Sequence, residues 1–294
     1  MKVSLSSFFQ SPFNVFLFRH SSPKLAQLYL SAIGRFYYLF TQKEKRLIEE
    51  SIREVLSGQP EGYIRKVTRE TFKGIFSHYF EKMYSALLDY RMVYSYIDRN
   101  FKVEGMGLLE KALAMGKGCL LVTAHWGAVE FIPWVLIRHG FPTSVILEYA
   151  TSRLARIAQT QGKRIQADLI SSSYGESILM RTMQALRSNR ILMTQCDEVD
   201  SWHKRKSKTI RLFGRELFFD NTIDILSKRS GAPVVAAFLK RTRGNRYTLI
   251  LEDVSVERAS ESTARDMFLK WESWVRRHPE QWYQWKKWHE MKSA

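Results

Sequence analysis

The sequence predicts an α/β protein, with a mixed, largely parallel sheet flanked by helices and an N-terminal helical region before it. Two observations lead to this class. Up to about Asn100, apolar residues recur at helical spacing, as in RLIEESIREVL, and strand patterns are scarce. After Phe101, short β-rich runs such as GCLLVTA alternate with helical ones, which is typical of a sheet that helices cover on both faces.

We therefore divide the chain into a helical region, residues 1–100, and an α/β domain, residues 101–294. The helical region is expected to form a cap or a membrane-facing layer. The predicted strands are GCLLVTA (118–124), TSVILEY (143–149), RIQADLI (164–170), RILMTQC (190–196), PVVAAFLK (233–240) and RYTLILEDV (246–254), with TIRLFGRELFF (209–219) as a hairpin or an extended loop strand. The predicted helices begin near Trp126, Ser152, Glu176, Asn221 and Ser262.

The charge of the chain indicates an anionic partner. Its 46 Lys and Arg exceed its 29 Asp and Glu by 17, which suits nucleic acid, an anionic membrane or a phosphorylated substrate. The glycines lack the Walker and Rossmann spacings, so nucleotide binding is not indicated. Basic residues are interleaved with Trp and Phe and form no nucleic-acid reader motif, which favours a membrane surface. A nucleic-acid-binding protein is the alternative from another class.

Two apolar segments each allow two interpretations. Leu25–Phe40 is shorter than the roughly 20 residues that cross a bilayer, so it is either an interfacial helix or a buried helix. Near the C-terminus, Trp282, Trp285 and Trp288 recur every third residue beside two lysines. They form either an interfacial edge or part of the core.

His125 and Glu130 stand out in the apolar run LVTAHWGAVEFIPW. Because a buried Glu needs a partner, we predict that Glu130 orients His125 and raises its basicity. Residues five apart on one helix point about 140° apart, so His125 should lie in the turn before the helix. A histidine so held takes a proton from a hydroxyl. A structural histidine is the alternative.

Several motifs, in order, resemble those of one family. HWGAVE is similar to an H-x-G-x-x-E motif, and it is followed by QTQGKR (159–164) and by NRILMTQCDE (189–198), which places Asp197 after a strand. The run 210–241 and the tail HPEQWYQWKKWHE (278–290) complete the series. Together they resemble the bacterial lipid A late acyltransferases, lauroyl and myristoyl transferases related to lysophospholipid acyltransferases.

The resemblance implies acyl transfer from acyl carrier protein, or from acyl-CoA, to a hydroxyl of a lipid A precursor or similar glycolipid. It places the reaction at the cytoplasmic face of the inner membrane, without metal or redox cofactor and without nucleic acid. His125 is then the general base and Glu130 its partner. Another lipid acceptor, or a relative that only binds lipid, is the alternative.

One departure from the family pattern affects substrate binding. The family commonly has an Arg where this chain has Glu148, so the oxyanion or phosphate partner is expected among Arg153, Lys163 and Arg164. Asp197 is expected to contact substrate or to position a basic residue, unless it is a turn acid or a helix cap. These residues are the predicted substrate site.

Overall fold

Residues 8–148, 152–171, 177–198, 208–254 and 262–291 are described by a computed structural model. Within residues 8–100 the chain forms helices, which confirms the predicted helical region. Two of them begin with a serine cap followed by proline, since Ser11 and Ser22 accept hydrogen bonds from backbone N–H groups of the first turn. These helices are α1 (Pro12–His20), α2 (Pro23–Phe40), α3 (Gln42–Val55), α4 (Glu61–Leu87) and α5 (Tyr90–Asn100).

A mixed, mostly parallel sheet forms the centre of the α/β part, which confirms the predicted fold class. Its seven strands are β1 (Phe101–Glu104), β2 (Cys119–Thr123), β3 (Thr143–Ile146), β4 (Asp168–Ile170), β5 (Ile191–Gln195), β8 (Val234–Thr242) and β9 (Arg246–Asp253). They lie in the order β1-β9-β8-β2-β5-β3-β4. The β8–β9 pair is antiparallel and all the other pairs are parallel.

The segment 209–219, predicted as a hairpin or an extended loop strand, forms a hairpin. Its two strands make a separate two-stranded sheet. Its strands are β6 (Lys208–Leu212) and β7 (Arg215–Phe219). The helices of this part are α6 (Gly107–Ala114), α7 (Ile132–Arg138), α8 (Ser152–Ile165), α9 (Ile178–Arg187), α10 (Thr222–Ser230) and α11 (Thr263–Arg277). Short 3₁₀ turns occupy Val129–Phe131, Pro279–Gln281 and Trp285–Glu290.

The side chains of the central strands alternate between two hydrophobic cores, one on each face of the sheet. On β2, Leu120 and Val122 join one core, while Cys119 and Leu121 join the other. All five residues of β2 are buried, because helices cover both faces. This explains why the strand is a continuous apolar run without polar alternation.

The helix predicted to begin near Trp126 begins later, at Ile132. Trp126 and Gly127 instead make isolated β-bridges, to Trp282 and to Leu239 respectively. Their backbone groups are thus bonded to distant segments of the chain, which delays the start of the helix by six residues. His125 lies in the turn between β2 and these bridges, as predicted.

The tryptophans near the C-terminus belong to the core. Trp282, Trp285 and Trp288 are fully buried, which excludes the interfacial interpretation for their rings. Trp282 packs against Phe213 and Trp271, with ring centroids 6.3 and 5.2 Å away. The three-residue spacing of these tryptophans follows from the short 3₁₀ turns at Pro279–Gln281 and Trp285–Glu290.

Helix α2 divides its apolar residues between core and solvent. Ala26 and Leu30 are buried, whereas Leu28, Phe36 and Phe40 leave 67%, 64% and 79% of their surfaces exposed. The buried interpretation therefore holds for one face of the helix, and the interfacial interpretation of its exposed face stays a prediction. In the described portion of the chain, no helix is long and apolar enough to span a bilayer.

Candidate active site

The site lies where two neighbouring parallel strands end. Strands β2 and β5 pair so that Thr123 stands opposite Gln195, and the chain continues from them to His125 and Asp197. The amide of Cys196 extends the pairing by donating to the carbonyl oxygen of Thr123 at 2.8 Å. Because parallel strands bring their carboxyl ends to one edge of a sheet, side chains 72 residues apart in sequence meet here.

Asp197 holds His125 by two groups at once. The backbone N–H of His125 lies 3.0 Å from both carboxylate oxygens, and the ring Nδ1 lies 3.0 Å from Oδ1. The indole Nε1–H of Trp282 donates to Oδ2 at 2.8 Å. An ionised carboxylate only accepts hydrogen bonds, so in the neutral ring Nδ1 carries the proton and Nε2 keeps its lone pair.

Burial and pairing shift the pKa values of both partners. Burial by itself lowers the pKa of His125, but the charge and hydrogen bond of Asp197 outweigh it and the pKa is raised. Burial by itself raises the pKa of Asp197, and the charge of His125 together with three hydrogen bonds brings it below its ordinary value. The pair therefore favours an ionised Asp197 and a histidine of increased basicity.

The other nitrogen of His125 faces the open side of the site. Nε2 lies 3.4 Å from Oε1 of Glu198, whose side chain is 45% exposed. The His125 side chain itself retains 15% exposure. Nε2 is thus the ring nitrogen that Asp197 leaves unengaged, and it lies beside a half-exposed carboxylate.

Glu130, predicted to be the partner of His125, contacts other residues. Its carboxylate lies 3.6 Å from Nε2 of His78 and 3.8 Å from Nζ of Lys82, both on α4. The predicted His125–Glu130 contact is therefore wrong as a description of this geometry, because Asp197 occupies Nδ1. Glu130 lies in a 3₁₀ turn, not in a helix that folds beneath His125.

Tyr283 connects the two histidine–carboxylate pairs. Its ring stacks on His78 with centroids 4.4 Å apart and meets the edge of His125 at 5.7 Å. Its backbone N–H donates to the carbonyl oxygen of His125 at 3.3 Å. The site thus has a buried wall made from α4 and the C-terminal segment.

Gly127 permits the tight turn that follows His125. Its φ is +60°, and a Cβ built there would lie 2.0 Å from the carbonyl oxygen of Leu239 on β8. Its N–H donates to the carbonyl oxygen of Gln281 at 2.9 Å. The position therefore requires glycine both for its conformation and for space.

A buried ion pair supports the same turn. The guanidinium of Arg241 donates to the carbonyl oxygen of Gly127 and, at 2.6 and 2.8 Å, to both oxygens of Glu81. Burial raises the pKa of Glu81 to about 7, although the charge and hydrogen bonds of Arg241 lower it. The pair ties α4, β8 and the catalytic turn together.

The predicted substrate residues lie in different places. Asp197 is 1% exposed and engaged with His125, so the structure shows it positioning that histidine, and its contact with substrate stays a prediction. Lys163 and Arg164 lie exposed in the last turn of α8, and no described contact joins them to His125. The side chain of Arg153 lies outside the described residues. The role of these three basic residues stays a prediction.

Four residues of the site escaped the sequence reasoning: His78, Lys82, Glu198 and Tyr283. Glu198 could have been found, because the carboxyl end of a strand next to β2 is where a partner of His125 is expected. His78 and Lys82 come from a helix distant in sequence, and nothing in their local pattern marks them. Lys287 also lies close enough for its charge to lower the pKa of His125.

The fold and the site define an α/β protein with a carboxylate-oriented histidine at the carboxyl edge of its sheet, a class of site suited to acid–base chemistry. A family model described as bacterial lipid A biosynthesis acyltransferase matches residues 13–289. The chain therefore belongs to that family and is an acyltransferase of lipid A biosynthesis. None of the curated proteins matches the sequence.

Proposed function

We propose that His125 acts as the general base in the transfer of an acyl chain from a thioester to a hydroxyl of a lipid A precursor. The observation that carries this proposal is the contact of Nδ1 with buried Asp197, at 3.0 Å, which leaves Nε2 on the accessible side. Such a histidine is basic, fixed in orientation and reachable, as a general base must be.

The steps use only this chain and its two substrates. Nε2 takes the proton of the acceptor hydroxyl while its oxygen attacks the thioester carbonyl carbon. The tetrahedral intermediate then collapses, the C–S bond breaks, and the imidazolium returns the proton to the leaving thiolate. Asp197 stays ionised and stabilises the imidazolium, in the same role that a triad carboxylate has in hydrolases.

Cations near His125 supply charge for the developing oxyanion or for a substrate phosphate. Lys82 lies 3.8 Å from Glu130, and Lys287 is close enough for its charge to lower the pKa of His125. Glu130 then positions Lys82 and His78, which gives this carboxylate a part in the site without contact to His125. Arg153, Lys163 and Arg164 are proposed for the acceptor's phosphates, in place of the Arg that the family commonly has where this chain has Glu148.

The donor is proposed to be acyl carrier protein, with acyl-CoA as the alternative. The excess of 17 positive charges favours an acidic donor protein or an anionic membrane surface, because long-range attraction raises encounter rates. The proposed location is the cytoplasmic face of the inner membrane, with peripheral attachment. Exposed Phe13 and Phe16 on α1, beside the exposed apolar residues of α2, support attachment.

The decisive experiment replaces the base. The purified enzyme with His125→Ala should lose on the order of 100-fold or more of its transfer rate, the usual contribution of a general base. His139→Ala, an exposed histidine at the end of α7, is the matched control. Wild-type activity in His125→Ala would refute the proposal.

The acceptor is identified by mass spectrometry of lipids from cells with and without the gene. We expect a lipid A precursor to differ by the mass of one acyl chain. A difference confined to another lipid class would reassign the acceptor. Steeply salt-dependent DNA binding, without binding to anionic vesicles, would instead favour the nucleic-acid alternative.

A further inference from the structure

A cavity apart from the His125 site lies between α2, α4 and the β8–β9 hairpin. Its volume is about 760 Å³, within the range of small-molecule sites. Leu30, Phe72, Phe76 and Phe80 form its apolar interior. His125 and Asp197 are not among the described residues that line it, so it is separate from the site already described.

Basic side chains surround the cavity. Arg69 and Lys73 line it but are paired with Glu70, at 3.5 and 2.8 Å. Arg35 and Arg246 also line it, and within the described ranges neither forms an ion pair. Two guanidinium groups therefore stand at an apolar cavity without carboxylate partners.

The cavity is continuous with the apolar face of α2. Gly34, Arg35, Tyr38 and Leu39 line it from the same helix that exposes Leu28, Phe36 and Phe40. Arg35 and Arg246 are exposed, whereas the phenylalanines of the cavity are buried, so a molecule that enters from the surface meets the arginines first. The cavity thus combines apolar volume with two guanidinium groups for which the described residues provide no carboxylate partner. This combination suits an amphiphile with a phosphate.

We propose that this cavity binds one anionic phospholipid, with an acyl chain among Phe72, Phe76 and Phe80 and the phosphate on Arg35 and Arg246. The inference rests on the membrane attachment in the proposed function, and it adds a lipid that is bound and not transformed. Arg241 lines the cavity and also donates to the Gly127 carbonyl oxygen, so the bound lipid lies beside the support of the catalytic turn.

The probe is a phosphatidylglycerol with a photoactivatable diazirine on one acyl chain, presented to the full-length protein in phosphatidylcholine vesicles. After irradiation, labelled peptides are mapped by mass spectrometry. We expect label on residues 72–80 of α4, whose phenylalanines are buried and which a surface-adsorbed lipid does not reach. Label confined to the exposed residues of α2 would overturn the proposal.

Two double variants of equal charge test the arginines. Arg35→Gln with Arg246→Gln should reduce α4 labelling by at least about tenfold, because both charge-assisted hydrogen bonds to the phosphate are lost. Arg65→Gln with Arg243→Gln, exposed arginines of α4 and of the same hairpin that do not line the cavity, should label as the wild type does. Equal labelling in both double variants would refute the assignment of the phosphate.

Competition with an acyl donor distinguishes a resident phospholipid from the reacting acyl chain. Excess dodecanoyl-CoA should not displace the label, whereas displacement would make the cavity the pocket of the reacting chain and overturn the phospholipid assignment. His125→Ala should label like the wild type, because labelling needs no turnover. A failure of the proposed transfer reaction would thus appear in the activity assay and leave the labelling result standing.

Discussion

At the scale of single residues, the site depends on one carboxylate and one glycine. Asp197 accepts from the backbone and ring of His125 and from Trp282, so its two oxygens are engaged within the protein. Gly127 lets the chain turn directly after the base, against the carbonyl oxygen of Leu239. Each of the two residues leads to a prediction.

Asp197→Asn should reduce the transfer rate on the order of 100-fold, within the range for loss of acid–base function. It should also move the acid limb of the pH–rate profile to lower pH. The sign follows because Asp197 raises the pKa of His125, so its removal leaves the base neutral at lower pH.

The pH–rate profile of each variant provides the measurement, with Asp98→Asn, which breaks an exposed pair with Arg138, as the control. The Asp98→Asn enzyme should keep the wild-type transfer rate and the wild-type pH–rate profile. A slower Asp197→Asn enzyme whose acid limb stays in place would assign Asp197 a purely structural role.

Gly127→Ala should destabilise the protein and reduce activity. A positive φ alone costs a residue with a Cβ roughly 1–2 kcal/mol, and the contact with the Leu239 carbonyl adds to it. Urea unfolding measures the loss of stability. Gly140→Ala has a similar φ, +85°, but no atom within 4 Å of the new Cβ, so it isolates the conformational cost. Equal losses in the two variants would contradict the predicted clash.

At the scale of elements, helix α4 joins the N-terminal layer to the site. It supplies His78 and Lys82 to the Glu130 carboxylate, and Glu81 to Arg241 on β8. The helical spacing of apolar residues before Asn100 predicted helices in this region. The spacing does not show which polar residues of the helix face the active site, because that depends on how the helix lies across the sheet.

Glu81→Ala should lower the free energy of unfolding by about 3–5 kcal/mol, because it leaves the guanidinium of Arg241 buried without its counterion. Activity should fall with it, since Arg241 also holds the Gly127 carbonyl. Chemical denaturation measures the change. Glu61→Ala removes a surface partner of Arg53 and should change stability little. Similar effects of both substitutions would contradict the special role of the buried pair.

At the scale of the whole molecule, the exposed apolar residues concentrate on α1 and α2. Others are scattered singly over the α/β part, such as Met115, Met180 and Leu269. A concentrated apolar face that no described element covers suits a membrane surface, whereas scattered residues need no explanation.

Serine replacements of Leu28, Phe36 and Phe40 should therefore reduce flotation with anionic vesicles several-fold, through loss of apolar area buried in the bilayer. Serine replacements of Met115, Met180 and Leu269 match the number of changes and should leave flotation unchanged. Equal flotation of the two triple variants would place the membrane contact elsewhere.

Much of this architecture could be predicted from local pattern. Helical spacing before Asn100, the alternation of strands and helices after it, and the turn at His125 all depend on neighbours in sequence. The family motifs predicted acyl transfer in the same way. The late start of α7 could not be predicted, because it results from bridges to Leu239 and Trp282, residues more than 100 positions away.

The sequence by itself therefore determined the fold class, the family and the place of His125 in the turn after β2, because these follow from periodicity and from short contiguous motifs. Only the tertiary structure decided which carboxylate orients His125. Glu130 is near His125 in sequence, but the parallel pairing of β2 with β5 places Asp197 at Nδ1 of His125. The carboxylate of Glu130 instead lies beside His78 and Lys82 of α4. The physical reason is that an ion pair needs its two groups close in space, and the order of strands in the sheet determines which groups are close.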